Sequence, residues 1–383
     1  MKFVLVPDSF KGTMRSTEIC EIMSVAIRDS FPHADIVSIP MADGGEGTVD
    51  SFIAALGGKR VPLKTAGPYF DTIDSYYGML SDGRTAVVEM SASAGLPLGG
   101  DNNDPSRATT YGVGQLMLDA ARGGARKIIV GLGGSATNDG GCGMAAALGI
   151  RFFDANGNGF VPLGGTLADI ARIDIADKEK ALEGIEIITM CDVNNPMYGK
   201  DGAAHVFGPQ KGADPAMTES LDAGLRHLAE TIKNDMGIDV SNVRGGGAAG
   251  AMGAGMIAFA GSTLRMGIDT VLDTVGFDSL IGDASLIITG EGRIDDQSLR
   301  GKAIAGVAAR AKKAGVPVVA IVGDIGAGID AIYETGVTAI FSINRAAAGF
   351  DPAKSKSKTD LLLTVRDLMR FFSVVTEDRD GVT

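Results

Sequence analysis

A two-domain α/β fold is predicted, and three features of the sequence predict it. Short apolar strands alternate with helical segments at both chain ends, the pattern of a parallel sheet covered on both faces. A hairpin-rich stretch separates those ends, so a mixed α/β domain is inserted into the parallel one. At 383 residues the chain is long enough for two cores. The expected bounds are 1–70 with 275–383 for the discontinuous domain, and 71–274 for the insert.

Taken in order, Phe3–Val6 reads as a strand and Ser16–Phe31 as a helix, with Ile19, Ile22, Met23, Ala26 and Ile27 at helical spacing. Ser16, Thr17 and Glu18 suit its start. Ile36–Ile39 is the next strand, and Gly47–Leu56 a helix closed by Gly57-Gly58. Lys64–Met90 reads as hairpin-rich, with Asp82-Gly83 turning between Ser75–Leu80 and Thr85–Met90. A helix near Gly112–Arg122, a strand ending at Val130 and an alanine-rich helix from about Cys142 follow. Asp154 to Gly159 is a turn. Ile185–Met190 and Val206-Phe207 are apolar runs that lead into turns. Gly246 to Gly255 carries no charge and suits close helix packing. Leu286–Thr289, Val318–Val322 and Thr338–Ile343 read as strands, Lys302–Ala314 as a helix, and about Lys358–Phe372 as a terminal helix before a polar, frayed tail.

Composition narrows the partners. A net charge of −12 argues against nucleic acid and anionic membranes, which reward basic surfaces. Glycine is the outlier at 55 residues; without a Gly-X-Y period or a Ser/Pro tract, the excess belongs to tight turns and close backbone approaches. Cys20, Cys142 and Cys191 are few and widely spaced, as expected of buried thiols in a reducing compartment. No leader-like N-terminus and no long apolar run occur, so the chain reads as soluble and cytoplasmic. Oligomeric state is not encoded legibly, and a homo-oligomer stays open. None of His33, His205 and His227 is placed as a catalyst.

Function collects in six strand-end turns: PDSFKGT at 7–13, MADGGEGT at 41–48, GGSATNDGG at 133–141, CDVNNP at 191–196, VFGPQKGA at 206–213 and ITGEGRID at 288–295. Ligands of open α/β sheets bind beyond the carboxyl ends of the strands. One acid before a helix is an ordinary cap. Six turns with several charges each exceed what capping needs. Carboxylates, amides and lysines together suit a phosphorylated ligand with its metal, and the turns read as a Mg²⁺-dependent kinase. A rival is a dinucleotide fingerprint over Gly131-x-Gly133-x-x-Ala136 with Asp154 about 20 residues on. It would make the protein an NAD(P)-dependent oxidoreductase, but Asp139 would repel a pyrophosphate there. A non-catalytic metabolite sensor is a second rival, and it would need fewer acids. The P-loop string and the protein-kinase signatures are absent.

The same six motifs, in this order over nearly the whole chain, resemble the bacterial glycerate kinase family. The resemblance implies ATP-dependent phosphorylation of D-glycerate, giving 2-phosphoglycerate in many members. It also implies two α/β domains flanking a cleft, one of them Rossmann-like and built from both chain ends. Departures are mild: Ala251 and Ser298 stand where glycine and threonine are usual, Gln115 where glutamate is common, and Lys302 to Gly306 lacks a proline. Only the resemblance points to glycerate as acceptor.

For phosphoryl transfer, Asp192 is the expected base or metal ligand, directly after a strand. Asp43, Glu46, Asp139, Glu291 and Asp295 are the other candidate metal acids. Lys11 and Lys211 would neutralise the transferring phosphate, and Arg293 would fork onto the substrate carboxylate. Ser135, Asn138 and the amides of Gly133 and Gly134 would cradle ATP or glycerate, with Asp8, Ser9 and Asn194 as further binding residues. Which acid is base and which hold Mg²⁺ is left open.

Overall fold

The computed structural model describes residues 1–100, 103–295, 298, 303–346 and 350–380. Asp296, Gln297 and Lys302 lie outside the described residues. The strands run β1 (Lys2–Pro7), β2 (Asp35–Ser38), β3 (Gly58–Ala66), β4 (Thr72–Leu80), β5 (Thr85–Glu89), β6 (Lys127–Gly131) and β7 (Arg151–Phe153). They continue as β8 (Gly159–Phe160), β9 (Arg172–Asp174), β10 (Glu186–Met190), β11 (Thr263–Arg265), β12 (Leu286–Ile294), β13 (Val318–Ile325) and β14 (Val337–Ser342). Two compact units form, one from residues 1–42 with 268–383 and one from residues 43–267.

The first unit holds a five-stranded sheet in the order β2-β1-β12-β13-β14, parallel throughout. Its strands are apolar because helices cover both faces. Phe3, Leu5, Ile288 and Ile321 are buried against Ile19, Met23 and Ile27 of helix Ser16–Ser30 and Leu361 and Val365 of helix Phe350–Asp380. Phe3, Phe31 and Phe372 form a ring cluster with centroids 5.2 to 6.1 Å apart. Each such buried side chain contributes about 2–3 kcal/mol. The order of connection reverses between β1 and β12, the point at which an open α/β sheet accepts its ligand.

The second unit holds a six-stranded mixed sheet in the order β11-β10-β6-β5-β4-β3. β11, β10, β6 and β5 are parallel, and β4 and β3 complete it antiparallel. The β3 edge carries Lys59, Arg60, Pro62 and Lys64, residues that discourage a further strand. A separate antiparallel sheet, β8-β7-β9, lies outside this one. Among the described residues no helix is long and apolar enough to cross a membrane.

Several expectations change. Helix Thr48–Leu56 and β3 belong to the second unit, because β3 pairs with β4 along its whole length. Val206-Phe207 ends a short helix, Ala203–Phe207, that buries Ala203 and Ala204 and leaves Val206 exposed. Gly290 to Arg293 is not a turn: β12 runs on to Ile294, since β13 extends beside it with Ile294 opposite Ile325. The terminal helix continues through Asp380 rather than fraying after Phe372.

Candidate active site

In the first unit the site residues gather where β1 ends and along the second half of β12 beside it. The Asp8 amide donates to the Gly290 carbonyl at 2.8 Å, and the Ser9 amide to Asp8 Oδ1 at 2.6 Å. Gly292 lies against Phe10 and the Lys11 backbone, where a Cβ would sit 3.4 Å from the Lys11 nitrogen. Lys11 is exposed, and Glu291 is buried within the strand. Arg293 faces Asp324 at 3.3 Å and Asp295 at 3.7 Å. The Ser298 hydroxyl accepts the Asp295 amide at 3.2 Å, so serine in place of threonine still holds this bend.

In the second unit Glu89, Gly131, Met190 and Arg265 stand in register as β5, β6, β10 and β11 end. The loops beyond them therefore share one sheet edge. The Asp43–Gly47 loop is brought there by close backbone approach. A Cβ on Gly131 would stand 2.4 Å from the Gly44 carbonyl oxygen, and the Gly133 amide donates to that same oxygen at 2.9 Å. Asp43 Oδ1 accepts the Gly45 amide at 3.0 Å, and Asp43 and Glu46 are exposed. Asp192 is exposed, and its Oδ1 accepts the Gly267 amide at 2.7 Å. Asn194 is also exposed at this edge.

Lys211 reaches the loop after β6. It is 2 % exposed, and its Nζ donates to Ser135 Oγ at 2.8 Å and to the Thr137 carbonyl at 2.7 Å. Burial pulls its pKa down to about 7, against the opposing pull of the Asp139 charge. Among the described residues, fully buried Asn138 has neither amide atom hydrogen-bonded, and the buried Thr137 Oγ1 and Ser91 Oγ likewise have no partner. Buried orphans of this kind mark a loop built for something besides its own fold.

Asp139 has a different role from the one expected. Its carboxylate accepts the Thr110 amide and hydroxyl, both at 2.8 Å, and the Gly141 and Gly143 amides at 3.1 Å. Both oxygens are occupied by buried donors, so this acid organises the loop and is not a metal ligand. Burial raises its pKa and these donors lower it, with burial the larger effect. The dinucleotide reading fails as well. β7 is not in the sheet with β6, and Asp154 accepts the amides of Asn156 and Asn158 inside its own turn.

The glycine-rich segment after Arg244 threads between two site loops. Gly250 sits at φ +67, where a Cβ would meet the Thr137 carbonyl oxygen at 2.0 Å, and its own carbonyl accepts the Gly140 amide at 3.0 Å. The Gly247 amide donates to the Asn195 carbonyl at 2.9 Å. Ala249 and Ala251 are held at φ 55 and 65, which costs about 1–2 kcal/mol each. The uncharged run is close packing, as expected, and its consequence is to tie the loop after β6 to the loop after β10.

Among the described residues no group of three or more metal-capable side chains forms. Mg²⁺ on a nucleotide asks for less: one or two carboxylates, with phosphate oxygens and water completing the shell. Asp43 and Glu46 in the second unit, and Glu291 and Asp295 in the first, offer the right hard oxygen donors; Asp139 does not. Glu89 leaves no local signal in the sequence, because its pairing with the Val49 amide is long-range.

Comparison with known proteins bears on what this site does. The chain matches the family model described as the glycerate kinase family over residues 3–373. It is 43 % identical over 378 residues to a glycerate kinase from Bacillus cereus, covering 98 % of this chain and 99 % of that protein. It is 44 % identical over 354 residues to the glycerate 2-kinase of Escherichia coli, covering 92 % and 93 %. A crystal structure from Salmonella typhimurium, provisionally named glycerate kinase 2, superposes with a TM-score of 0.88 at 40 % identity, covering 98 % of this chain and 99 % of that one.

Proposed function

The chain belongs to the glycerate kinase family, a family of phosphotransferases, and from that premise we propose that it transfers the γ-phosphate of ATP to D-glycerate in the cytoplasm, giving 2-phosphoglycerate. The observation that carries the reading is the gathering, within each unit, of the charged loops at the carboxyl ends of parallel strands. Phosphoryl transfer asks for positioning and charge neutralisation rather than covalent help.

Asp192 takes the proton of the attacking hydroxyl, and the Gly267 amide orients its carboxylate. Lys211 is the second unit's candidate to offset the charge of the phosphoryl group, in a fixed geometry because Ser135 and Thr137 hold it, and Lys11 is the first unit's candidate for the same task. With Lys211 donating to its oxygen, the Ser135 hydroxyl turns its own proton outward as a donor. The amides of Gly133 and Gly134, Asn138 and Asn194 bind oxygens of the ligands, and Asp8 and Ser9 line the point where the first sheet reverses. Arg293 pairs with the acceptor's carboxylate. Asp43 and Glu46 in the second unit, and Glu291 and Asp295 in the first, are the acids that would hold Mg²⁺, which would supply charge neutralisation on the phosphate oxygens.

The test is ADP release with ATP, Mg²⁺ and D-glycerate, which EDTA abolishes, with phosphorus NMR assigning the product to C2 or C3. Turnover with another hydroxy acid in place of glycerate would move the substrate and keep the kinase. Absence of transfer to any hydroxy acid would end the reading.

A further inference from the structure

Glu89 is a carboxylate only 1 % exposed, at the last residue of β5. Its Oε1 accepts the Val49 amide at 2.6 Å, and the Gly47 amide bonds to it as well. These amides open helix Thr48–Leu56, which has no side-chain cap of its own. A local cap is excluded there, since the capping position, Gly47, is left-handed at φ 90 while Ser, Thr or Asp cap from extended backbone. A charge buried 40 residues away in sequence takes over that task. Burial of such a group is costly, and a fold in need only of a capped helix has cheaper solutions.

What this arrangement fixes is the loop before the helix. At its far end, Gly44 is pressed on Gly131 and accepts the Gly133 amide. At its near end, Glu89 holds Gly47 and Val49. The loop carrying Asp43 and Glu46 is thus clamped to β6 on one side and β5 on the other.

We infer that Glu89 is a positioning residue that holds the Asp43–Glu46 loop in register with the strand ends for metal-phosphate binding. The inference rests on the reading that this loop meets the nucleotide's metal. Burial pushes the Glu89 carboxyl above the usual carboxylate range; the Val49 and Gly47 amides and the Arg60 charge act against that shift, and the Asp50 charge adds to it.

Three variants test it: Glu89→Ala, Glu89→Gln and Asp43→Asn. Each is compared with the parent by amide hydrogen exchange without ligands, by calorimetric titration of Mn²⁺ in the presence of a non-hydrolysable ATP analogue, and by kcat and KM. Glu89→Ala should speed exchange in the segment 43–50 ahead of the rest of the unit and weaken Mn²⁺ binding about 10–100-fold, the loss typical of removing a group that orients metal ligands. Glu89→Gln should shift both in the same direction and less, because its amide oxygen still accepts one of the two amides; it decides the matter if the alanine variant does not fold. Exchange raised evenly over the unit, with Mn²⁺ affinity unchanged while Asp43→Asn loses it, overturns the positioning role alone. Unchanged Mn²⁺ affinity in Asp43→Asn overturns the metal reading of the loop, and the inference with it.

Discussion

Replacing Gly250 by alanine separates two costs that usually come together. A new methyl would stand 2.0 Å from the Thr137 carbonyl oxygen and 2.6 Å from Asn138 Cα, both backbone atoms that cannot rotate away. The two backbones must therefore part by roughly 1 Å or more. Left-handed backbone adds about 1–2 kcal/mol for any residue with a Cβ, and the overpacking adds about 1–3 kcal/mol. Gly237 supplies the control. It is left-handed at φ +70 as the C-cap of helix Pro215–Met236, and a methyl there would meet nothing within 4 Å, so Gly237→Ala carries the conformational cost alone. Urea unfolding should show Gly250→Ala losing about 2–5 kcal/mol and Gly237→Ala about 1–2 kcal/mol. Because Thr137 and Asn138 are the residues displaced, turnover of Gly250→Ala should also fall, by about 10²-fold for a shift of this size. Equal losses in the two variants, with wild-type turnover in Gly250→Ala, would refute the claim that this segment sets the site loop.

Other expectations follow from the same geometry. Asp192→Asn keeps an oxygen for the Gly267 amide, so the fold should stay intact while turnover drops about 10²-fold or more; a near-normal steady-state rate removes Asp192 as the base. Asp139→Ala strands four buried hydrogen-bond donors and should lower the urea midpoint by an amount worth about 3–5 kcal/mol, without changing the Mg²⁺ concentration needed by whatever enzyme remains folded. Lys211 titrates near 7 in the folded protein, below the 10.5 usual for lysine. Between those values the unfolded chain binds the extra proton, so this group's contribution to stability rises with pH across that window and is flat below it. Urea midpoints measured from about pH 6.5 to about pH 9.5 should climb relative to Lys211→Met, by up to roughly 3 kcal/mol; parallel profiles would count against a lysine buried in this way.

The elements most legible in the sequence are those whose signal is local. Val4–Val6 and Ile128–Val130 are continuous apolar runs ended by polar turns, Ile187–Met190 is apolar but for Thr189, and each lies in a central parallel strand. The Asp82-Gly83 hairpin is equally plain. Gly290 to Arg293 misleads because glycine and charge look like a turn, whereas pairing with a distant strand keeps the backbone extended. Val206-Phe207 misleads because two apolar residues fit either period, and neighbouring Ala203 and Ala204 decide it by burial. In the site, the motifs mark the loops but not the direction of each side chain. Asp139 and Asp192 look alike in sequence, yet one is enclosed by donors from a helix start and the other is exposed. Glu89 could not be found, since its partners lie across the sheet edge at Gly47 and Val49.

The first sheet joins the two ends of the chain: Val4 lies beside Ile287, and Phe3 beside Leu286. On the ribosome this sets an order of events. The 43–267 unit is continuous in sequence and its strands can pair as they emerge, whereas β1 must remain without its β12 neighbour until that whole insert has been synthesised. At roughly 5–20 residues per second the delay is on the order of tens of seconds. Throughout it the nascent chain carries the apolar Phe3–Val6 segment unpaired on one side, a stretch for chaperones to shield during synthesis.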